Sequence, residues 1–187
     1  IFILFDSLNR HFLECYGSDL LHTPNFRRLS EKAVTFDQHH VGSLPCIPAR
    51  RDLQTGKLSF MHRSWGPLEP FDQSVFDQLR TAGVYSHLIT DHYHYFEEGA
   101  GNYHTKYSSF EFVRGQEGDK GQAPIDAPLA DWQARYHADQ FNEKTGSLPF
   151  HYMANRSHLE ETGEFPSTQC FNAACTFLNA NKAADDW

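Results

Sequence analysis

The sequence has little continuous hydrophobicity. Its longest uninterrupted apolar run is Ile1–Phe5, whereas a helix that crosses a bilayer needs about 18 to 20 consecutive apolar residues. We therefore predict no transmembrane helix and no membrane partner. The chain also lacks an initiator methionine, and we expect its 187 residues to be a piece of a longer protein.

Positive charge is scarce as well. The chain carries 16 lysine and arginine side chains against 24 acidic ones, for a formal net charge of −8. A protein that binds the phosphate backbone needs a basic face, so nucleic acid is excluded as a predicted partner. Hydrophobic residues make up 40% of the sequence, which at this length is enough to bury a core and argues against disorder.

Cysteine pairs at metal-binding spacing are absent. The four cysteines are Cys15, Cys46, Cys170 and Cys175, and no two of them lie two residues apart as in a zinc knuckle or a redox motif. Four thiols in a chain of this length do not make a disulfide scaffold. Unpaired thiols favour the cytoplasm as the predicted location, with the periplasm as the alternative.

What is present is the alternation of strands and helices that is typical of an α/β protein. Residues 1–5 and 84–90 read as strands that end at Asp6 and Asp91, and ligands bind at the carboxyl ends of strands in open α/β sheets. Further strands are predicted at 34–41 and 109–113, and helices after Thr23, at 49–55, at 73–82 and from Pro166. Gly115–Pro128 is expected to be a loop. The polar cluster 114–117 at its start has two interpretations, a contact with substrate or, more commonly for such a cluster, a solvated turn.

The most informative segment lies at 42–56, where Cys46 stands at the junction of a loop and a helix. A group there faces backbone N–H donors and the positive end of the helix dipole, and Arg50 adds a fixed cation with planar donors. An oxyanion such as a sulfate or phosphate ester is the natural ligand. A cysteine phosphatase is excluded, because it needs an arginine six positions after its cysteine and this chain has Asp52 there.

The pattern Cys46-x-Pro48-x-Arg50, followed by Leu53-x-Thr55-Gly56, resembles the signature of the formylglycine-dependent sulfatases of the alkaline-phosphatase superfamily. The resemblance implies an α/β/α sandwich with a mostly parallel central sheet. It also implies that residues 1–187 are the amino-terminal part of a single catalytic domain, with the motifs in 1–100 and a loop-rich continuation in 101–187.

The same resemblance implies a site for a divalent cation. The family carries two adjacent aspartates after its first strand, where this chain has Asp6 and Ser7. Asp6, Ser7 and Cys46 are therefore the expected metal-side residues, and Ca²⁺ is the expected cation because it accepts mixed oxygen ligands in flexible geometry. Mg²⁺ and Mn²⁺ are the alternatives. Further ligands are expected outside this chain, so residues 1–187 alone are expected not to turn over substrate.

Two histidines follow the strand 84–90. Many sulfatases have a lysine, an aromatic residue and a histidine at this strand end, and here His92 stands at the lysine position and His94 at the histidine position. The resemblance implies that His92 binds substrate and that His94 is a general acid or base. Cys46, oxidised to formylglycine, is the implied nucleophile, and Arg50 stabilises it.

Two alternative functions agree with the same residues. Phosphonate monoester and phosphodiester hydrolases of the same superfamily also use formylglycine and share the Pro48–Arg50 continuation. A non-catalytic homologue is the second alternative, motivated by Ser7 and His92 at their positions. The expected partners are a small anionic ester and the enzyme that generates formylglycine, and the sequence does not indicate an oligomeric state.

Overall fold

Two adjacent parallel strands lead into the region where the predicted site lies. In a computed structural model that describes residues 1–98, 102–122, 124–142, 146–147 and 149–187, β1 (His87–Thr90) pairs in parallel with β2 (Ser109–Phe112). The register runs from His87 opposite Ser109 to Thr90 opposite Phe112. Both strands were predicted from the sequence and are confirmed, although β1 is shorter than 84–90.

The described residues also contain six α-helices and a small antiparallel pair of strands. The helices are α1 (Pro24–Ser30), α2 (Cys46–Thr55), α3 (Val75–Thr81), α4 (Leu129–Gln133), α5 (Phe150–Arg156) and α6 (Pro166–Asn181). The antiparallel pair is β3 (Phe141–Asn142) with β4 (Gly146–Ser147). Short 3₁₀ helices lie at Arg10–Phe12, Glu14–Tyr16, Ser59–Met61, Tyr93–Phe96, Tyr103–Lys106, Ala138–Gln140 and Thr162–Glu164. The chain is therefore of the α/β class.

The predicted helices after Thr23, at 73–82 and from Pro166 are confirmed as α1, α3 and α6. α3 begins after Ser74, whose hydroxyl accepts a hydrogen bond from the backbone N–H of Phe76. α2 begins at Cys46, three residues earlier than the predicted Ala49. The first turn of a helix tolerates proline because its N–H groups have no intrahelical partner, so Pro48 does not delay the start. Gly56 ends α2 with a φ of 68°, a left-handed conformation that favours glycine.

Two predicted strands are wrong. Residues 1–5 and 34–41 form no strand, and the apolar side chains of the first segment are exposed, from 94% at Ile1 to 40% at Phe5. An apolar run becomes a buried strand only where neighbouring strands take up its backbone hydrogen bonds. In the described part of the chain neither segment has such a neighbour. Phe5 instead packs its ring against Phe26 and Phe171.

Buried apolar side chains form two clusters. The first consists of Ile47, Leu68, Tyr95 and Tyr103, with Leu88 and Phe96 packed against it, and it lies beneath the start of α2 and the end of β1. The second consists of Trp132, Met153 and Ala154, and it holds α4 against α5. None of the helices in the described ranges is long and apolar enough to cross a membrane.

Candidate active site

Three of the groups singled out by the sequence converge at the amino end of α2. Ligand atoms of Asp6, Cys46 and His92 all lie within 4.8 Å of one another. Cys46 is the first residue of α2, Asp6 follows the apolar segment 1–5, and His92 follows β1. Three segments that are distant in sequence therefore bring a carboxylate, a thiol and an imidazole to one place.

Buried side chains of α2 contact the core, and these contacts fix the position of Cys46. Ile47 is buried in the first apolar cluster. The Gln54 side chain is buried, donating to the carbonyl of Tyr103 at 3.2 Å and accepting from the Ser74 hydroxyl at 2.9 Å. These contacts tie both ends of the helix to the core, so the first turn of α2 presents Cys46 on a rigid support.

A buried ion pair adds a third anchor on α2. The guanidinium of Arg51 donates to both carboxylate oxygens of Asp72, at 2.7 and 2.9 Å, and the backbone N–H of Glu69 donates to the same carboxylate. Burial favours the neutral carboxyl, but these hydrogen bonds outweigh it and hold the pKa of Asp72 below its ordinary value. The pair is a fixed structural element of the site's support.

Asp6 is the carboxylate at the centre of the site. It accepts hydrogen bonds from the Ser7 hydroxyl at 3.0 Å and from Nη2 of Arg50 at 3.3 Å, and Nδ1 of His92 lies 4.0 Å from it. Burial raises the pKa of Asp6, but the hydrogen bonds from Ser7 and Cys46 and the charge of Arg50 lower it by more. Asp6 is therefore ionised near neutral pH.

The Cys46 thiol is not activated in this structure. Burial raises its pKa, and its hydrogen bond to Asp6 and the negative charge of that carboxylate raise it further, while Arg50 only partly opposes them. Reactive cysteines have a lowered pKa, because the thiolate is the nucleophile. The geometry thus disfavours a thiolate mechanism, in agreement with the excluded cysteine-phosphatase spacing.

His92 is buried and neutral. Burial lowers its pKa to about 4, and the positive charge of Arg50 acts in the same direction. Its Nε2 is buried without a hydrogen-bond partner among the described residues. Near neutral pH the imidazole therefore offers a nitrogen lone pair rather than the positive charge that a lysine supplies, so the predicted role of His92 in substrate binding stays a prediction.

His94 lies beside His92, and the centroids of their rings are 5.1 Å apart. Its Nδ1 is 2.7 Å from Oε1 of Glu97, and its Nε2 is 3.4 Å from Oε2 of Glu117. The ring of Trp65 packs against that of His94 in a T-shaped arrangement, with 4.7 Å between the ring centroids. The imidazole therefore sits between two carboxylates and is not part of the group formed by Asp6, Cys46 and His92.

Glu117 is the site residue that the sequence interpretation did not select. The cluster 114–117 was interpreted as a solvated turn, yet Glu117 is half-buried and contacts His94. Burial raises the pKa of Glu117, with the charge of His94 opposing the shift. Glu117 and Tyr152 also line an open cleft of about 260 Å³. The turn is present at 116–118, but the Glu117 side chain contacts His94 rather than lying in solvent, as in the less favoured of the two interpretations of this cluster.

The family model for sulfatases matches residues 1–173 of the chain. The chain belongs to the sulfatase family. This confirms the resemblance drawn from the Cys46 motif and the amino-terminal segment, and with it the alkaline-phosphatase-like α/β class. The parallel pair of β1 and β2 is the part of the central sheet that the described residues contain.

Curated relatives of this sulfatase chain match it over short segments. Human arylsulfatase D is 38% identical over 60 residues, which cover 32% of this chain and 10% of that protein. An N-acetylglucosamine-6-O-sulfatase of Bacteroides thetaiotaomicron is 27% identical over 103 residues, covering 54% of the chain and 18% of that protein. The multifunctional alkaline phosphatase superfamily protein PehA of Trinickia caryophylli is 38% identical over 83 residues, which cover 42% of this chain and 16% of that protein.

The chain thus spans less than a fifth of the length of these relatives. No solved structure matches it significantly. Membership of the family does not by itself establish the activity, the nucleophile or the cation of this protein.

Proposed function

We propose that the protein hydrolyses a sulfate monoester with a formylglycine derived from Cys46 as nucleophile. The observation that carries the proposal is the position of Cys46 at the amino end of α2, beside Asp6 and Arg50, in a chain that matches the sulfatase family. An enzyme that oxidises Cys46 is accordingly a proposed partner during maturation. We also propose that residues 1–187 are the amino-terminal part of one catalytic domain.

Position 46 suits chemistry on an anionic ester. The ten-residue helix α2 directs its unpaired N–H groups and the positive end of its dipole towards that point. Arg50, one turn further on, is nearly buried and adds a fixed positive charge. A hydrated formylglycine there supplies one hydroxyl that attacks sulfur and displaces the alcohol of the ester. Its second hydroxyl then gives up a proton, so that sulfate is expelled and the aldehyde reforms, whereas a plain alcohol lacks that second group.

A divalent cation fits beside position 46. Asp6 is ionised. The pKa of Asp91 is raised mainly by burial, and the negative charge of nearby Asp6 raises it further. Excess negative charge of this kind is what a cation neutralises. Asp6, an oxygen at position 46 and Ser7 would hold the ion, which polarises the sulfate oxygens; Ca²⁺ is the proposed ion, with Mg²⁺ and Mn²⁺ as alternatives.

Removal of the cation is expected to abolish turnover in the full-length protein. Dialysis against a chelator should reduce kcat to background, and adding back Ca²⁺, Mg²⁺ or Mn²⁺ separately should show which ion restores it. Turnover that survives exhaustive chelation, with metal content verified by elemental analysis, contradicts the metal proposal.

Arg50, His92 and His94 have proposed roles in the reaction. Arg50 stabilises the negatively charged nucleophile and the transferring sulfate group. His94 acts as general acid or base on the ester oxygen, and His92 contacts the sulfate group as a neutral donor or acceptor. The positions of Arg50 and His92 beside Asp6 and Cys46 support their proposed roles, and the role of His94 rests on the resemblance of the segment after β1 to that of many sulfatases.

A second candidate function is hydrolysis of phosphonate monoesters or phosphodiesters. The match to PehA, whose name records multiple functions in the alkaline phosphatase superfamily, favours keeping this alternative. Arg50 and a helix amino terminus bind phosphonate as readily as sulfate, so the described residues do not separate the two.

Side-by-side kinetics on one leaving group separate these candidates. We expect the full-length protein to hydrolyse an aryl sulfate with kcat/KM at least about tenfold higher than the matching aryl phosphonate monoester, a difference of about 1.4 kcal/mol in transition-state binding. The reverse order favours the phosphonate hydrolase. Hydrolysis of neither ester by protein with oxidised Cys46 and bound metal identifies a non-catalytic homologue.

A further inference from the structure

The loop after β2 directs the carboxylate of Glu117 at His94. Oε2 of Glu117 lies 3.4 Å from Nε2 of His94, the ring nitrogen opposite the one that faces Glu97. Glu117 comes from a segment that does not adjoin His94 in sequence, so the approach is set by the packing of two loops. The contact is therefore a feature of the tertiary structure.

The backbone around Glu117 is held in a conformation that few residues adopt. Its φ is 49°, in the left-handed region that a non-glycine residue adopts only where its surroundings hold it there. Nδ2 of Asn155, a side chain only 3% exposed, donates to the carbonyl of Glu117 at 2.9 Å and to that of Asp119 at 2.7 Å. A buried amide on α5 therefore fixes the loop directly at Glu117.

The ends of the same loop are braced separately. Arg114 donates to both carboxylate oxygens of Asp119, at 2.8 and 2.7 Å, and the backbone N–H of Gly115 donates to Asp119 at 2.8 Å. Arg114 and Asp119 thus satisfy each other. The nearest neighbours of Gly118 are the Tyr152 ring and the Tyr93 hydroxyl, and a Cβ placed there would lie 3.1 Å from each. The loop is packed too closely for Glu117 to be a loose surface side chain.

His94 needs such a support if it transfers a proton. An imidazole that rotates about its χ2 bond moves both of its nitrogens, and a misplacement of about 1 Å costs an enzyme on the order of 100-fold in rate. Nδ1 of His94 lies 2.7 Å from Glu97 but has no hydrogen-bond partner among the described residues, and Trp65 packs against the ring in a T-shaped arrangement. Glu117 is the group that contacts the ring at Nε2.

We propose that Glu117 is a positioning residue that fixes the imidazole of His94 from its Nε2 side, which leaves Nδ1 as the nitrogen that exchanges a proton with the ester. The proposal rests on the proposed function, because the rate effect requires His94 to act on the ester. Binding of the sulfate group depends on Arg50 and the cation, so loss of Glu117 lowers kcat and leaves KM nearly unchanged.

Three substitutions in the full-length protein test this role. Glu117→Ala removes the contact, and Glu117→Asp keeps the charge but withdraws the carboxylate by one methylene; we expect kcat to fall about 10- to 100-fold in both. Glu117→Gln keeps the length and an acceptor oxygen, and kcat should stay within about fivefold of wild type. Glu160→Ala, which removes an exposed carboxylate between α5 and α6, is the matched control and should not change kcat.

A second readout does not require turnover. The ring signals of His94 in NMR spectra of histidine-labelled protein, assigned by their loss in His94→Gln, should shift or broaden in Glu117→Ala and Glu117→Asp but not in Glu160→Ala. If wild type hydrolyses no ester while these shifts occur, the proposed function fails and the positioning contact stands. Melting temperatures show whether Glu117→Ala is folded; if it is not, the comparison of Glu117→Asp with Glu117→Gln decides.

Any of four results overturns the positioning role. Three concern the rate: an unchanged kcat in folded Glu117→Ala, a loss that appears in KM alone, and a Glu117→Gln variant as impaired as Glu117→Ala. The fourth is a set of unchanged His94 signals in Glu117→Ala, whatever happens to the rate.

Discussion

Replacing Cys46 with alanine is expected to reduce hydrolysis of a sulfate ester by the full-length protein by about 10⁴- to 10⁶-fold. Loss of a covalent nucleophile has effects of this size, because the remaining groups bind and polarise the ester but nothing attacks it. Arg50 and Asp6 remain in place in this variant, since their mutual contact at 3.3 Å does not involve Cys46. Substrate binding should therefore survive.

Cys175→Ala is the matched control for this experiment. Cys175 is exposed on α6 and takes no part in the site, so its replacement should leave kcat and KM unchanged. Initial rates on an aryl sulfate, together with binding of the intact ester by calorimetry, measure both expectations. A Cys46→Ala variant that retains more than about one hundredth of wild-type turnover contradicts a nucleophile at this position.

Replacing Asp72 with asparagine is expected to destabilise the fold by about 3 to 5 kcal/mol. The side chains of Asp72 and Arg51 are 0% and 3% exposed, and removing one partner of a buried ion pair leaves the other charge unpaired. A domain has only about 5 to 15 kcal/mol of net stability, so the loss is a large fraction of it. Urea unfolding at pH 7 measures the difference, with the exposed Asp19→Asn as control.

The same variant carries a pH signature. Because the native pKa of Asp72 lies below its ordinary value of 3.8, ionised Asp72 stabilises the fold above that pH, and the contribution is lost as the pH falls through the native pKa. The stability gap between wild type and Asp72→Asn should therefore be full at pH 7 and shrink below about pH 4. A gap that is constant from pH 7 to pH 3 means that the ion pair is not the source of the difference.

The local part of the site was predictable from the sequence. Cys46 and Arg50 lie one helical turn apart, so their motif fixes their relation whatever the rest of the fold does. Asp91 and His92 directly follow a predicted strand, so identifying β1 was enough to place them at its carboxyl end. What a short pattern specifies by itself could be inferred without the tertiary structure.

Features that depend on partners distant in sequence could not be inferred in this way. The apolar runs at 1–5 and 34–41 have strand composition, but a strand needs neighbours that no local pattern reveals. Glu117 is a charged residue in a turn-rich segment, and its role appears only when Asn155 and His94 come together around it. The one local signal was its place after β2, beside the strand that leads to His92 and His94.

The formylglycine mechanism depends directly on the chemical state of residue 46. A mass spectrum of the tryptic peptide Ala33–Arg50, from protein made in its native host, reports that state. The peptide contains Cys46 and no other cysteine. We expect the mass of the aldehyde in place of the thiol, with the corresponding hydrate or Schiff-base adducts. A peptide that carries only the intact thiol, in protein that is fully active on a sulfate ester, would contradict the formylglycine mechanism.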